Sequence, residues 1–363
     1  MRRLLPLTLF SAVLLNACAA QPAAAPTAAP SVPAASSTTT DLSSLKTYLL
    51  ANIGELKTSS AQLVAASNQY YDLAKASGFD YDDLWSSEQQ AVLNAVEVGR
   101  AAWMQASPGY EQIEGLVAGV PSLAEYDVIL DAGTSAAEGG DGVVPFDLSL
   151  ADGRTLQKPG NLFGISERAL WGTDPELTAP IQADFNRNGT IEFGEALPEA
   201  NVLLSSATAL DRYVGELQTA AQAWQPNESD AFTALVVMVP TMNEYFDSWK
   251  NSRFVAGEAS TQRDFVAISR LADIQDILSG LEVVYDGVSP LVASVDSVQS
   301  QQIDQDLTSL KTFVADVHAK EQAGQQFTAE DADLLGSEAQ NRATAITGQL
   351  SQVAAALDVE IQE

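Results

Sequence analysis

Hydrophobic positions recur along most of this chain with the period of an α-helix. Leu42, Leu45, Leu49, Ile53 and Leu56 stand three or four residues apart, so one helix face carries all of them. Thr40 or Asp41, just before that stripe, is a candidate N-cap. The spacing returns at Leu210, Tyr213, Val214, Leu217 and Ala221, and at Phe265, Ile268, Leu271, Leu278, Leu281 and Tyr285. It returns again at Leu307, Leu310, Val314 and Val317, and last at Ile346, Leu350, Val353 and Leu357. Each apolar face needs another to cover it, which predicts an all-α protein of antiparallel helix bundles. The octet Asp41–Tyr48 (DLSSLKTY) is echoed at Asp306–Phe313 (DLTSLKTF), a hint of duplication and so of two bundles side by side.

Residues 131–162 break the period. They hold glycines at 133, 139, 140, 142, 153 and 160 and prolines at 145 and 159. Within this long irregular excursion, Phe146–Leu150 followed by Ala151-Asp152-Gly153-Arg154 reads as a short strand entering a tight turn, which predicts a small β-hairpin. Irregular stretches of this length inside a compact domain usually serve function or stay disordered.

The amino-terminal region follows a different logic. Arg2 and Arg3 precede an apolar run from Leu4 to Leu15, too short to span a bilayer and shaped like a secretory leader over residues 1–17. The order Leu15-Asn16-Ala17-Cys18 is similar to a bacterial lipobox, in which the cysteine is acylated, and Cys18 is the only cysteine in the chain. Ordinary cleavage near Ala19–Ala20 is the alternative. Residues 18–40 are dominated by Ala, Pro, Ser and Thr, cannot bury a core, and read as an extended tether. The helical domain is expected over residues 41–363, held at the cell envelope outside the cytoplasm by an N-terminal lipid.

Charge narrows the set of partners. The 18 basic and 48 acidic side chains leave a net charge of −30. That excludes a nucleic-acid binder, which needs a basic face to displace counterions from phosphate. It also argues against docking on anionic lipid through a basic surface. With one histidine, no site built from several imidazoles can exist. The acidic groups Asp80–Asp83 and Glu138–Asp141 read as solvated faces.

One motif is sharp. Residues 184–195 match the twelve-position EF-hand calcium loop, in which a hard cation collects six to eight oxygens. Asp184, Asn186 and Asn188 supply side-chain oxygens at positions 1, 3 and 5, and Gly189 permits the reversal at position 6. Thr190 offers its carbonyl at 7, Glu192 acts directly or through water at 9, and Glu195 is bidentate at 12. Ile191 at position 8 is expected to anchor the loop to the core. Pro180 and Pro198 flank the loop and interrupt helices, so the flanking helices are short or absent. A single Ca2+ loop without its partner suits a structural ion better than a sensor.

Three tracts resemble the imelysin-like family, helical bacterial surface or periplasmic proteins that include components of iron uptake. They are Leu162–Gly172 (LFGISERALWG), Ser248–Phe254 (SWKNSRF) and Ser269–Ile274 (SRLADI), and with the helical pattern the likeness covers most of residues 41–357. The resemblance implies a pair of antiparallel bundles. It also implies a G-x-H-x-x-E signature, whose glycine, histidine and glutamate fall on Leu162, Gly164 and Glu167. The imidazole is gone, so a peptidase or iron role resting on it is not carried over. Glu167 is then expected to be a buried polar group or a helix cap. The lone histidine, His318, forms its own H-x-x-E spacing with Glu321, but near a helix end and before Gly324 it reads as structural.

No nucleophile elbow, zinc helix motif or P-loop is visible. The reading favours a lipid-anchored, non-enzymatic calcium-binding protein that captures divalent or ferric ions for an uptake system with partner proteins. A peptidase-like hydrolase using paired carboxylates and a calcium-stiffened scaffold stand as alternatives.

Overall fold

Two helices of exceptional length begin the described structure and set its axis. In the computed structural model, which describes residues 40–140 and 142–362, α1 (Ser43–Ala76) turns at residues 77–80 into α2 (Tyr81–Gly119). The expected leader, Cys18 and the tether up to residue 39 lie outside the described residues. The remaining helices are α3 (Ala124–Asp127), α4 (Leu162–Trp171), α5 (Ala200–Ala223), α6 (Glu228–Met238), α7 (Met242–Asn251), α8 (Arg253–Ala256), α9 (Arg270–Val295), α10 (Ser297–Gln322) and α11 (Ala329–Ala356).

The stripes read from the sequence point inward. Leu45, Leu49, Ile53 and Leu56 of α1, Leu210, Val214 and Leu217 of α5, and Leu307, Leu310 and Val314 of α10 are fully buried. Packing sorts the helices into two bundles side by side: α1, α2, α4 and α5 in one, and α6, α7, α9, α10 and α11 in the other. Helix α2 belongs to both, since it packs on α1 and also on α6 and α9. Two glycines let it come close. A Cβ on Gly280 of α9 would stand 2.2 Å from the Gln112 carbonyl oxygen of α2, and one on Gly115 of α2 would meet Leu281 at 2.7 Å.

The irregular excursion contains the expected hairpin, in which β1 (Leu148–Ser149) pairs antiparallel with β2 (Thr155–Leu156). A second two-stranded sheet pairs β3 (Thr178–Gln182) with β4 (Ala196–Pro198) around the 184–195 loop. Pro180 and Pro198 thus sit in strands with free edges, where a missing N–H leaves no ladder bond unmade. One helix starts later than its periodicity predicts. Phe265 and Ile268 precede α9, which begins at Arg270 behind a Ser269 cap whose hydroxyl accepts the Leu271 amide. The amides of residues 265–267 are drawn to a distant carboxylate instead. Among the described residues no helix is long and apolar enough to cross a membrane.

The glycine contact at the α2–α9 crossing should be sensitive to one methyl group. Gly280→Ala is expected to lower stability by about 1–3 kcal/mol through overpacking. Gly348→Ala on α11, where an added Cβ meets nothing within 4 Å, should be neutral or stabilising. Thermal melts of the two variants check this; equal melting points would mean that the crossing tolerates separation.

Candidate metal centre

The close crossing of α2 on α9 brings two short acidic rows together. Glu111 and Glu114 lie one turn apart on α2, and Arg270 and Asp273 lie one turn apart at the start of α9. A third contribution comes from α3 and the turn of π-helix that continues it, Val128–Ala132, which carry Asp127 and Asp131. Such π turns are rare and recur at functional sites. All six side chains are buried, with Glu111 at 1 %, Glu114 at 3 % and Asp131 at 4 % exposure.

One carboxylate oxygen from each of Glu111, Glu114 and Asp131 lies within 4.8 Å of the other two. Some of the remaining lone pairs are satisfied by the protein. Tyr245 donates its hydroxyl to Glu114 Oε1 at 2.7 Å, and Tyr110 donates to Asp127 Oδ1 at 2.8 Å. Arg270 Nη1 donates to Asp273 Oδ2 at 2.9 Å and stands 3.7 Å from Glu111 Oε1. Its guanidinium also lies against Phe265, 3.7 Å from the ring centroid, and against Tyr245 at 4.7 Å. Glu111 Oε2, Glu114 Oε2 and Arg270 Nε are buried without any partner. Native proteins seldom leave buried carboxylate oxygens unmatched, which marks this cluster as the candidate site.

A cavity of about 260 Å³ opens beside the cluster, with Glu114, Asp131, Asp264 and Arg270 in its wall. Burial makes ionised carboxylates costly here. It raises Asp131 to about 8 and Asp273 to about 6. Burial, then the neighbouring acids, also pushes Glu111 and Asp127 well above the ordinary carboxylate range. Charge from Arg270 offsets only part of that cost. Glu111, Glu114 and Asp131 offer carboxylate oxygens, the ligand type preferred by hard cations.

Glu167 is buried as expected, but it is neither idle nor a cap. Its carboxylate accepts three consecutive backbone amides, from Phe265 at 2.7 Å, Val266 at 2.9 Å and Ala267 at 2.8 Å. Burial lifts its pKa to about 8 while those amides pull the other way. Helix α4 is fixed beneath it by the Asn161 side chain, which caps the Gly164 amide at 2.7 Å. His318 sits apart on α10, with Nδ1 2.8 Å from Gln275 Nε2 and Nε2 4.0 Å from Glu321. Burial lowers its pKa, and Glu321 instead accepts the Trp249 indole N–H at 2.5 Å.

The 184–195 loop closes on itself. Asp184 accepts the amides of Asn188 at 3.1 Å and Gly189 at 2.7 Å, Asn186 accepts that of Asn188 at 2.9 Å, and Asn188 accepts that of Thr190 at 2.7 Å. From the far end, Glu195 reaches back to the Asn186 amide at 3.1 Å and takes the Glu192 amide at 2.9 Å. Glu192 also accepts from the Asn186 side-chain amide at 3.1 Å. Asp184 and Glu195, at opposite ends of the motif, therefore both turn inward. Ile191 does not anchor the loop, since it is 40 % exposed. Phe185 does so by packing on Trp85 with ring centroids 5.5 Å apart, and Arg100 of α2 donates to the Gly194 carbonyl. This loop lies about three turns back along α2 from Glu111, so the expected ligands and the buried cluster are separate places.

Sequence reasoning missed Glu111, Glu114, Asp127, Asp131, Arg270 and Asp273. The available signal was acid at i and i+3 inside an apolar stripe, as in Tyr110-Glu-Gln-Ile-Glu-Gly-Leu116. Among the acidic groups expected to be solvated, Glu138 lines the cavity, accepting the Ser135 amide at 2.7 Å, and Asp80 caps α2.

A comparison with protein families matches residues 45–353 to the family described as Imelysin, peptidase M75. No curated protein matches the chain.

The raised carboxyl groups fix how the metal-free protein responds to pH. Asp131, Glu167 and Asp273 bind protons more tightly folded than unfolded, where a carboxyl titrates near 4. Their contribution is therefore fully present below about pH 4 and is lost as pH rises through about 6 and then 8. Melting of chelator-treated protein should fall between pH 5 and 8.5, by up to about 1.4 kcal/mol per pH unit for each titrating group. A melting point that rises over that window would contradict the assignment.

Proposed function

The chain belongs to the imelysin family, and from that premise we propose that it is a non-enzymatic protein that captures a metal cation in the buried carboxylate cluster. The observation that carries this reading is the pair of unpartnered oxygens, Glu111 Oε2 and Glu114 Oε2, within a group of carboxylates that Arg270 alone cannot neutralise. A divalent or ferric ion seated between Glu111, Glu114 and Asp131 supplies the missing charge, and the adjoining cavity gives it room for water ligands. Cation capture suits the iron-uptake relatives of this family and requires no imidazole. A peptidase mechanism has weaker support, because the one histidine stands on α10 between Gln275 and Gln322.

The 184–195 loop is proposed to hold a separate, structural Ca2+ through Asp184, Asn186, Asn188, the Thr190 carbonyl, Glu192 and Glu195. Its support is the inward turn of both terminal carboxylates, with Glu195 only 7 % exposed. Strands β3 and β4, rather than helices, hold its two ends, which suits a fixed clip. Acylation of Cys18 would moor the protein at the envelope and keep its cargo near uptake partners.

Isothermal titration of Mn2+ separates the two sites. The double variant Glu111→Gln/Glu114→Gln is expected to lose at least tenfold in affinity while keeping its helical circular dichroism. Unchanged affinity would remove the cluster as the capture site. Glu195→Gln should abolish a calcium-dependent rise in melting temperature and leave the Mn2+ site intact; indifference of the unaltered protein to calcium would remove the loop assignment.

A further inference from the structure

A second, larger cavity differs from the first in its charge. In a chain whose acids outnumber its bases 48 to 18, Lys158, Arg168 and Arg263 all line one space of about 830 Å³. It lies between the connection from β2 to α4 and the segment that joins α8 to α9. Asp174, 5 % exposed, holds two guanidinium groups: Arg168 Nη1 stands 3.4 Å from its Oδ2, and Arg263 Nη1 stands 3.2 Å from its Oδ1. Arg168 gives its other donors to the carbonyls of Gly164 at 3.1 Å and Pro159 at 3.2 Å. The Arg263 side chain is 56 % exposed, so the rest of its fork stays open at the cavity wall. One carboxylate between two guanidinium groups leaves a positive charge over.

Lys158 adds a second charge at a cost in backbone strain. It adopts φ +41°, a conformation that side chains resist and glycine accepts freely. Two bonds hold it there: its amide donates to Asp147 Oδ1 at 3.0 Å, and its carbonyl accepts the Ala136 amide at 2.9 Å. Neither bond uses the side chain, so a glycine at this position would keep both. Among the described residues the Lys158 ammonium forms no ion pair, whereas both arginines of the cavity do. Strain at a residue whose side chain does nothing for the fold points to a use in the cavity it lines.

The same walls carry Glu138 and Glu176, so a bare anion would meet repulsion as well as attraction. A ligand that sets hydroxyl groups beside its carboxylates satisfies both signs. Its carboxylates pair with Lys158 and with the fork of Arg263, and its hydroxyls donate to the glutamates. We infer that this cavity binds a small hydroxycarboxylate anion, with Lys158 and Arg263 as its charge partners and Asp174 positioning Arg263. Hydroxycarboxylates hold hard cations through oxygen. Glu138 and Asp264 line both this cavity and the one beside the carboxylate cluster, so a cation that arrives chelated is brought next to the cluster. That delivery step rests on the capture reading above; binding of the anion does not.

The test is isothermal titration of the full chain in metal-free buffer with citrate, and with tricarballylate, its counterpart without the hydroxyl. Lys158→Ala and Arg263→Ala are each expected to weaken citrate by about tenfold, one charged contact apiece, with unchanged circular dichroism. Lys158→Gly should lose the same affinity while melting no lower than the parent, because it removes the left-handed strain. Tricarballylate should bind more weakly than citrate, and Glu111→Gln should leave citrate binding as it is. No binding of citrate, or an affinity that neither substitution moves, overturns the anion site; equal affinity for the two acids overturns the hydroxyl requirement. A parent that takes up Mn2+ but not citrate leaves the capture reading standing without this site. One that binds citrate but not Mn2+ keeps the anion site and removes capture.

Discussion

The organising constraint in this protein is the burial of carboxylates with too little positive charge to balance them. Glu111, Glu114, Asp127, Asp131 and Asp273 are withdrawn from water around one guanidinium, that of Arg270. Arg270 occupies the first turn of α9, where the helix dipole disfavours a cation, so its place there depends on the acids around it. An arrangement like this is costly in an ordinary core. Much of the surrounding fold holds it together. The Gly280 contact lets α2 and α9 meet, the π-turn aims Asp131, and two tyrosines donate to the carboxylates that Arg270 does not reach.

What could be read from the chain alone follows the range of the interactions concerned. Helix faces were legible because an apolar stripe such as Leu45, Leu49, Ile53 is a property of one short segment. Periodicity failed at Phe265 and Ile268 for a non-local reason. Glu167, some hundred residues earlier in the chain, takes the amides that would have begun the helix. The buried acids were illegible by the same argument. Glu111 and Glu114 look like ordinary surface residues until the face of α9 that covers them is known. The family resemblance pointed to Glu167 through its tract but could not say that its partners would be the backbone of another segment.

Where the resemblance sets Leu162–Glu167 against a G-x-H-x-x-E signature, Gly164 falls at the imidazole position and Glu167 at the carboxylate. Glu167 serves architecture in this chain, organising the 265–267 reversal, and it needs no imidazole neighbour to do so. The three amides that Glu167 holds make no use of a side chain at residue 164.

The two candidate cation sites differ in how they are assembled, and so in what an ion can do to the protein. In the 184–195 loop the carboxylates are already turned inward by bonds to amides within the same dozen residues. An ion there would replace local hydrogen bonds and stiffen a hairpin, with little consequence beyond Phe185 and Arg100. In the buried cluster the carboxylates come from α2, the π-turn and the start of α9, which the unfolded chain holds apart. An ion that bound only when these were in place would stabilise the whole fold by mass action. Without an ion, burial itself favours the protonated form of these carboxyls, so in this reading a proton would compete with a cation for the cluster.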